Sequence, residues 1–305
     1  MGQLLGQGIA SVYRAIVTAS NVPDTPCGSE VAVKVSDTSS WSACEWKFAR
    51  TEVDIMARLT HPNIVRYVSS SFTGGSKAVI VQELCPHKDL FDNIEQYGPM
   101  PTELAHHYFV QLAKAVGHMH SQCVAHRDLK LENIVFDADW NLKVCDFGHA
   151  LQWRAGIGTP RSFQDVGTKR YQSPELHMVE SSEKGYDPRL VDVWAAGIVF
   201  FELLMGFPPI KCANPQEDWY FWQISNDRWS TFWQKHEQMC RRHSHSGLYK
   251  MTPQMRSFFE QALEPNPLKR PTMTQLLQHP YLQTGPCGNG RSMEDVCATM
   301  DQRCA

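Results

Sequence analysis

Apolar and polar positions along the chain change period several times, and each change predicts an element. Val31-Ala32-Val33-Lys34-Val35 alternates and predicts a strand; Val79 to Leu84 predicts a second, more apolar one. Leu4 to Ala15 reads as strand, glycine-rich turn, strand, and residues 19–29 are loop by composition. Trp46, Val53, Met56 and Leu59 share one face at helical spacing and predict a helix over 41–59. His61-Pro62-Asn63-Ile64-Val65 is expected to end that helix and start a strand. A short helix is expected over 89–97, and Leu104, Tyr108, Leu112, Val116 and Met119 line one face of a longer helix over 102–122. Residues 141–145 predict another strand. Val191 to Phe207 is apolar enough for a buried helix, but it is too short for a membrane span and carries Asp192 and Glu202. Trp219, Trp222, Trp229 and Trp233 suit one helix face, which either packs on the core or forms a docking surface. Gly285 to Gly290 breaks structure, so residues 284–305 are expected to be a flexible tail with three exposed cysteines, Cys287, Cys297 and Cys304.

Strands come first and helices later, which is an α+β order. At 305 residues the chain is long enough for one large core or two lobes. A net charge of −3 and a pI near 6.5 give no reason to expect a nucleic-acid partner. The ten cysteines include no C-x-x-C pair, so no zinc site is expected, and they read as reduced thiols of a cytoplasmic or nuclear protein. The first residues lack the basic and apolar regions of a signal peptide. A monomer without membrane association is expected.

The densest chemistry lies in His126-Arg127-Asp128-Leu129-Lys130-Leu131-Glu132-Asn133. Asp128 is placed to accept a proton from an attacking hydroxyl, Lys130 to neutralise a moving phosphoryl group, and Asn133 to hold a divalent cation. Asp146-Phe147-Gly148 supplies a second carboxylate for a metal. Elsewhere the bland readings compete. A strand lysine such as Lys34 is usually a solvent-facing charge, Glu52 a solvated helix residue, Gly6 and Gly8 a plain turn, and Cys145 a small buried thiol.

H-R-D-x-K-x-x-N followed by D-F-G resembles the serine/threonine protein kinases. The resemblance covers residues 1–283 and implies a bilobal α+β fold. The N-lobe, 1–84, would hold a small antiparallel sheet with one helix; the C-lobe, 85–283, would be mainly helical. It implies ATP and Mg²⁺ as cofactors, with Asp128 and Lys130 catalytic and Asn133 and Asp146 on the metal. Val31-Ala32-Val33-Lys34 is similar to the family's V-A-I-K, so Lys34 would bind the α and β phosphates, positioned by Glu52. Gly6, Gly8 and Val12 would cover the nucleotide. That loop is one residue short, with Ala10 in place of its third glycine. Glu83 and Cys85 would bind adenine through their backbone behind a Gln82 gatekeeper, and Asp89 would reach the ribose.

Gly167-Thr168-Lys169-Arg170-Tyr171-Gln172-Ser173-Pro174-Glu175 resembles the end of the family's activation segment, with Thr168 touching Asp128 and Lys130. The resemblance also implies that Asp192 holds the catalytic-loop backbone and that Arg270 pairs with Glu175. Arg127 calls for a negative charge, supplied either by Asp165 or by phosphate on Thr159 or Ser162. Asp89, Glu132 and Glu202 match positions that read arginine upstream of the acceptor serine or threonine. The catalytic loop and the 89–97 helix are similar to the calmodulin-dependent or AMP-activated-like branch, and the glycine loop has polo-like features. Protein substrates are the implied partners. The alternative is a pseudokinase scaffold, supported only by the shortened glycine loop. A small-molecule or lipid kinase is disfavoured by the activation segment.

Overall fold

A computed structural model describes residues 3–7, 10–19, 25–73, 76–156, 158–181, 184–242, 251–285, 298–299 and 302. Strands β1 (Gln3–Gln7), β2 (Ser11–Ile16), β3 (Glu30–Asp37), β4 (Tyr67–Thr73) and β5 (Lys77–Glu83) form one antiparallel sheet in the order β1-β2-β3-β5-β4. Helix α1 (Ala43–Met56) is the one helix among the described residues before Glu83. It is shorter than the predicted 41–59 because Ser42 and Glu45 cap its start reciprocally and the chain turns at Ala57. Val53, Met56 and Leu59 are buried as expected. The strand expected from Ile64 begins instead at Tyr67. Ile64 makes only an isolated parallel bridge to Val144, since Val65 N and Val144 N bond across to Val144 O and Asn63 O.

The remainder is mainly helical: a bilobal α+β fold with a small sheet lobe and a larger helical one. Strand β6 (His87–Asp89) leads into α2 (Leu90–Tyr97), capped by the Asp89 side chain, and then α3 (Thr102–Ser121). Strands β7 (Val124–Ala125), β8 (Ile134–Phe136), β9 (Leu142–Val144) and β10 (Leu151–Gln152) follow; β6-β8-β9 form one small sheet and β7-β10 another. Helix α4 (Pro188–Met205) starts with an Asp187 cap and Pro188 in its first turn, and ends on Gly206 at φ 73°. It is buried along almost its whole length, and Phe200 stacks on Phe109 of α3 with ring centroids 4.3 Å apart. Helices α5 (Trp219–Ser225), α6 (Trp229–Arg242), α7 (Pro253–Ala262), α8 (Met273–Leu276) and α9 (Pro280–Thr284) complete the lobe.

The four tryptophans do not share one helix. The chain breaks between α5 and α6, where Asp227 takes φ 55°. Trp233 is buried and donates to Glu260 at 2.8 Å, Trp229 packs on the core, and Arg228 lies over Trp222. Trp219 alone of the four is well exposed, at 49%. The packing reading therefore holds for Trp229 and Trp233. Most of the expected tail, including its three cysteines, lies outside the described residues, as does Gly8.

Candidate active site

The sheet lobe contributes Lys34. Its alternation partners Val33 and Val35 fix it within β3, opposite Val12 of β2 and Ile80 of β5. The side chain does not simply face solvent. Lys34 Nζ lies 2.7 Å from Glu52 Oε1 on α1 and 3.1 Å from Asp146 Oδ1. Burial favours the neutral amine, but the Glu52 and Asp146 carboxylates outweigh it and raise the lysine pKa. Burial likewise favours a protonated Asp146, and the Lys34 charge outweighs it, so the Asp146 carboxyl is held below its usual range. The three residues form a charged chain that links sheet, helix and the D-F-G turn, where Asp146 adopts φ 62°.

The helical lobe contributes the catalytic loop. Asp192 of α4, fully buried, accepts the backbone N–H of His126 at 2.9 Å and of Arg127 at 2.7 Å, and its Oδ2 also lies 2.9 Å from His120 Nε2. This holds Arg127 at φ 65°, a region that non-glycine residues avoid. His126 Nδ1 accepts the Asp128 amide at 3.3 Å and Nε2 sits 3.0 Å from Cys145 O, which suits the neutral ring with its proton on Nε2.

Asp128 Oδ1 accepts from Thr168 N at 2.8 Å and from Thr168 Oγ1 at 2.9 Å. Its other oxygen lies 2.9 Å from Lys130 Nζ, which also donates to Thr168 Oγ1 at 2.9 Å. Asn133 Nδ2 donates to Asp128 O at 2.9 Å, which turns its amide oxygen away from that carbonyl. That oxygen and the ionised Asp146 carboxylate are hard donors of the kind Mg²⁺ takes. Among the described residues no cluster of three or more His, Cys, Asp or Glu side chains stands ready to hold a metal alone.

Gly6 lies on β1 opposite Val12, just after a register irregularity in the β1–β2 pair. Glu83 ends β5. Its carboxylate faces away from a ligand role, taking Lys143 Nζ at 2.9 Å and the Arg66 amide at 2.8 Å. Cys85 lies two residues on; burial, helped by the Glu83 charge, pushes the thiol up to about 12, and burial raises the Cys145 thiol too. Burial thus disfavours the reactive thiolate at both positions. Asp89 commits one oxygen to the Asp92 amide at 2.8 Å.

Two expectations change, one for the activation segment and one for substrate reading. Arg127 does not turn to Asp165. Its guanidinium donates to His149 O at 2.8 Å, Ser162 Oγ at 3.0 Å and Gln164 Oε1 at 3.1 Å, all uncharged acceptors. Asp165 instead accepts from Gln172 at 2.7 Å. Ser162 itself is buried, and its N–H and C=O pair reciprocally with Tyr186 at 2.9 Å each. Glu202 is also not open to a substrate arginine: it is 2% exposed, hydrogen-bonded by Tyr171, and faces Arg170 at 3.7 Å. Glu132 is exposed and Asp89 half-buried. The Arg270–Glu175 pair forms as expected, bidentate at 2.7 and 3.0 Å, with the guanidinium over Trp194.

Sequence reading missed His120, and it named Gly167 within its motif without giving it a role. His120 carries no motif signal. Gly167 sits at φ 91° where a Cβ would stand 2.5 Å from Arg127 O, so only glycine lets the segment lie against the catalytic loop.

Comparison with known proteins adds relatives. A family described as "Protein kinase domain" matches residues 1–282. "CBL-interacting serine/threonine-protein kinase 26" of Arabidopsis thaliana is 36% identical over 217 residues, 70% of this chain and 46% of that protein. "CBL-interacting protein kinase 24" of Oryza sativa subsp. japonica is 31% identical over 284 residues, 93% of this chain and 56% of that protein. "Serine/threonine-protein kinase CHK1" of Saccharomyces cerevisiae is 35% identical over 227 residues, 73% of this chain and 39% of that protein. The chain spans about half the length of the curated relatives it matches.

Proposed function

The chain belongs to the protein kinase domain family, and from that premise we propose that it transfers the γ-phosphoryl group of Mg-ATP to serine and threonine hydroxyls of proteins. The observation that carries the reading is the triangle of Asp128, Lys130 and Thr168, each pair linked at 2.9 Å. Asp128 orients the substrate hydroxyl and accepts its proton as the oxygen attacks. Lys130 offsets negative charge on the group in transfer, and Thr168 fixes both side chains before substrate arrives, so little reorganisation is left to the reaction. Lys34, held by Glu52, binds the α and β phosphates. The backbone of Glu83 and Cys85 takes adenine, Asp89 the ribose, and Gly6, Gly8 and Val12 cover the nucleotide. Asn133 and Asp146 hold Mg²⁺, which when bound neutralises phosphate charge.

We take residues 1–283 as the catalytic domain, divided after residue 84, and 284–305 as a tail. The scattered cysteines support a cytoplasmic or nuclear location. An upstream arginine would meet the exposed Glu132, with Asp89 beside it. A docking role falls to Trp219.

Labelled ATP and a mixed protein substrate test the reading. Phosphoserine and phosphothreonine should form with the native chain and be lost with Asp128→Asn. Mg-ATP at about 100 times its Kd should add ~2.7 kcal/mol to native stability and raise Tm. A Tm shift without transfer would instead identify a nucleotide-binding pseudokinase.

A further inference from the structure

The phosphotransfer reading leaves open what the site selects, and two side chains beside Asp128 bear on it. Lys169 and Arg170 directly follow Thr168, whose Oγ1 is 2.9 Å from Asp128 Oδ1. One residue step spans about 3.8 Å, so both cations are anchored within two steps of the group that contacts the catalytic carboxylate. Both sit in the short 3₁₀ turn Lys169–Tyr171, whose Tyr171 is buried and acts as its anchor, and both are exposed. Lys169 has no ion pair among the described residues. Arg170 has one, to Glu202 Oε1 at 3.7 Å, longer than a hydrogen bond, and its side chain is still 51% exposed. The pairing is lopsided: Glu202 is buried while Arg170 is open, and Glu202 Oε2 has no hydrogen-bond partner. Glu202 is thus the one ion-pair partner of Arg170 among the described residues, and half of the arginine side chain is left exposed to a second anion.

We infer that Lys169 and Arg170 select substrates with an anionic side chain next to the phosphoacceptor. This rests on the phosphotransfer reading and names the substrate class for the same site. A carboxylate or a phosphoryl group on the neighbouring residue meets a guanidinium and an ammonium in charge-assisted hydrogen bonds, which are shorter and stronger than neutral ones. The pair also repels lysine or arginine at that position. An upstream arginine preference through Glu132 and Asp89 concerns other substrate positions, and varying each position separately tells the two apart.

The test uses the full chain and a peptide library in which each position flanking a fixed serine is varied through Ala, Lys, Asp, Glu and phosphoserine. Asp or Glu at one flanking position should raise kcat/KM about tenfold over Lys, with phosphoserine showing whether a prior phosphate serves better. The acid-to-lysine ratio should shrink severalfold between low and high salt. In Lys169→Glu/Arg170→Glu the ratio, taken within the variant so that any overall loss cancels, should invert. Transfer to the library with no anionic preference at either flank overturns the inference while leaving phosphotransfer intact, as does a ratio that survives charge reversal. Transfer to no peptide overturns phosphotransfer and this inference with it.

Discussion

Asp192 Oδ1 accepts the backbone amide of Arg127 at 2.7 Å across 65 residues of sequence, and its other oxygen takes His126 N. The carboxylate is fully buried. Asp192→Asn would place an amide NH₂ against a backbone N–H, and we expect a loss of ~3 kcal/mol. Urea unfolding would read the stability. Phosphotransfer should fall further than the unfolded fraction explains, because Arg127 would no longer be held at its unfavourable φ.

Glu202 should make stability depend on pH. Burial, the largest effect on it, pushes the carboxyl up to about 7 against the pull of Tyr171 and Arg170. Between an unfolded value of 4.5 and about 7 the native state binds more protons than the unfolded state, so stability falls as pH rises through that window. The full span corresponds to roughly 3 kcal/mol. Glu202→Gln should remove this slope, and Arg170→Gln should shift it to higher pH by removing a cation. Denaturation midpoints from pH 4.5 to 8 would check both; parallel profiles for wild type and Glu202→Gln would count against the assignment.

Arg127 is met by uncharged acceptors, which predicts that its surroundings order without phosphate. Phosphatase treatment should leave the rate within about twofold, and Asp165→Asn should do the same. Ser162→Ala with Gln164→Ala should cost about tenfold or more, since one buried and one part-buried guanidinium hydrogen bond go with them. Phosphate-dependent activity would show that a modified segment rearranges around Arg127.

Gly167→Ala should inactivate without unfolding. Its Cβ would meet Arg127 O at 2.5 Å, and φ 91° adds backbone strain. A stability loss of about 1–3 kcal/mol is expected, with a far larger loss of transfer as Thr168 leaves Asp128. Side-by-side Tm and rate measurements separate the two.

Periodicity was enough for α1, α3, β3 and the buried α4, because each buries a face whose spacing is written in the chain. It failed at the tryptophans, where helical spacing persisted across a break set by the left-handed Asp227, and at Ile64, where a bridge replaces a ladder. The catalytic loop was legible because its residue types are contiguous. Asp192, Arg270 and Glu52 were legible only through family resemblance, since each acts on a residue far away in sequence. Of Arg127's acceptors only Ser162 was anticipated, as a phosphate carrier, and the Arg170–Glu202 pair was not legible, because both depend on how the activation segment packs.

The reciprocal bonds between Ser162 and Tyr186 have a consequence for variation at distant positions. Gly185, just before Tyr186, takes φ 59°, and a Cβ there would stand 2.5 Å from Ser162 O. A side chain at 185 would push away the serine that Arg127 grips, although residue 185 touches neither nucleotide nor acceptor hydroxyl in the proposed reaction. The span over which one missense change can silence the proposed phosphotransfer therefore extends well past the 126–133 loop, into a connecting segment that would otherwise be scored as tolerant.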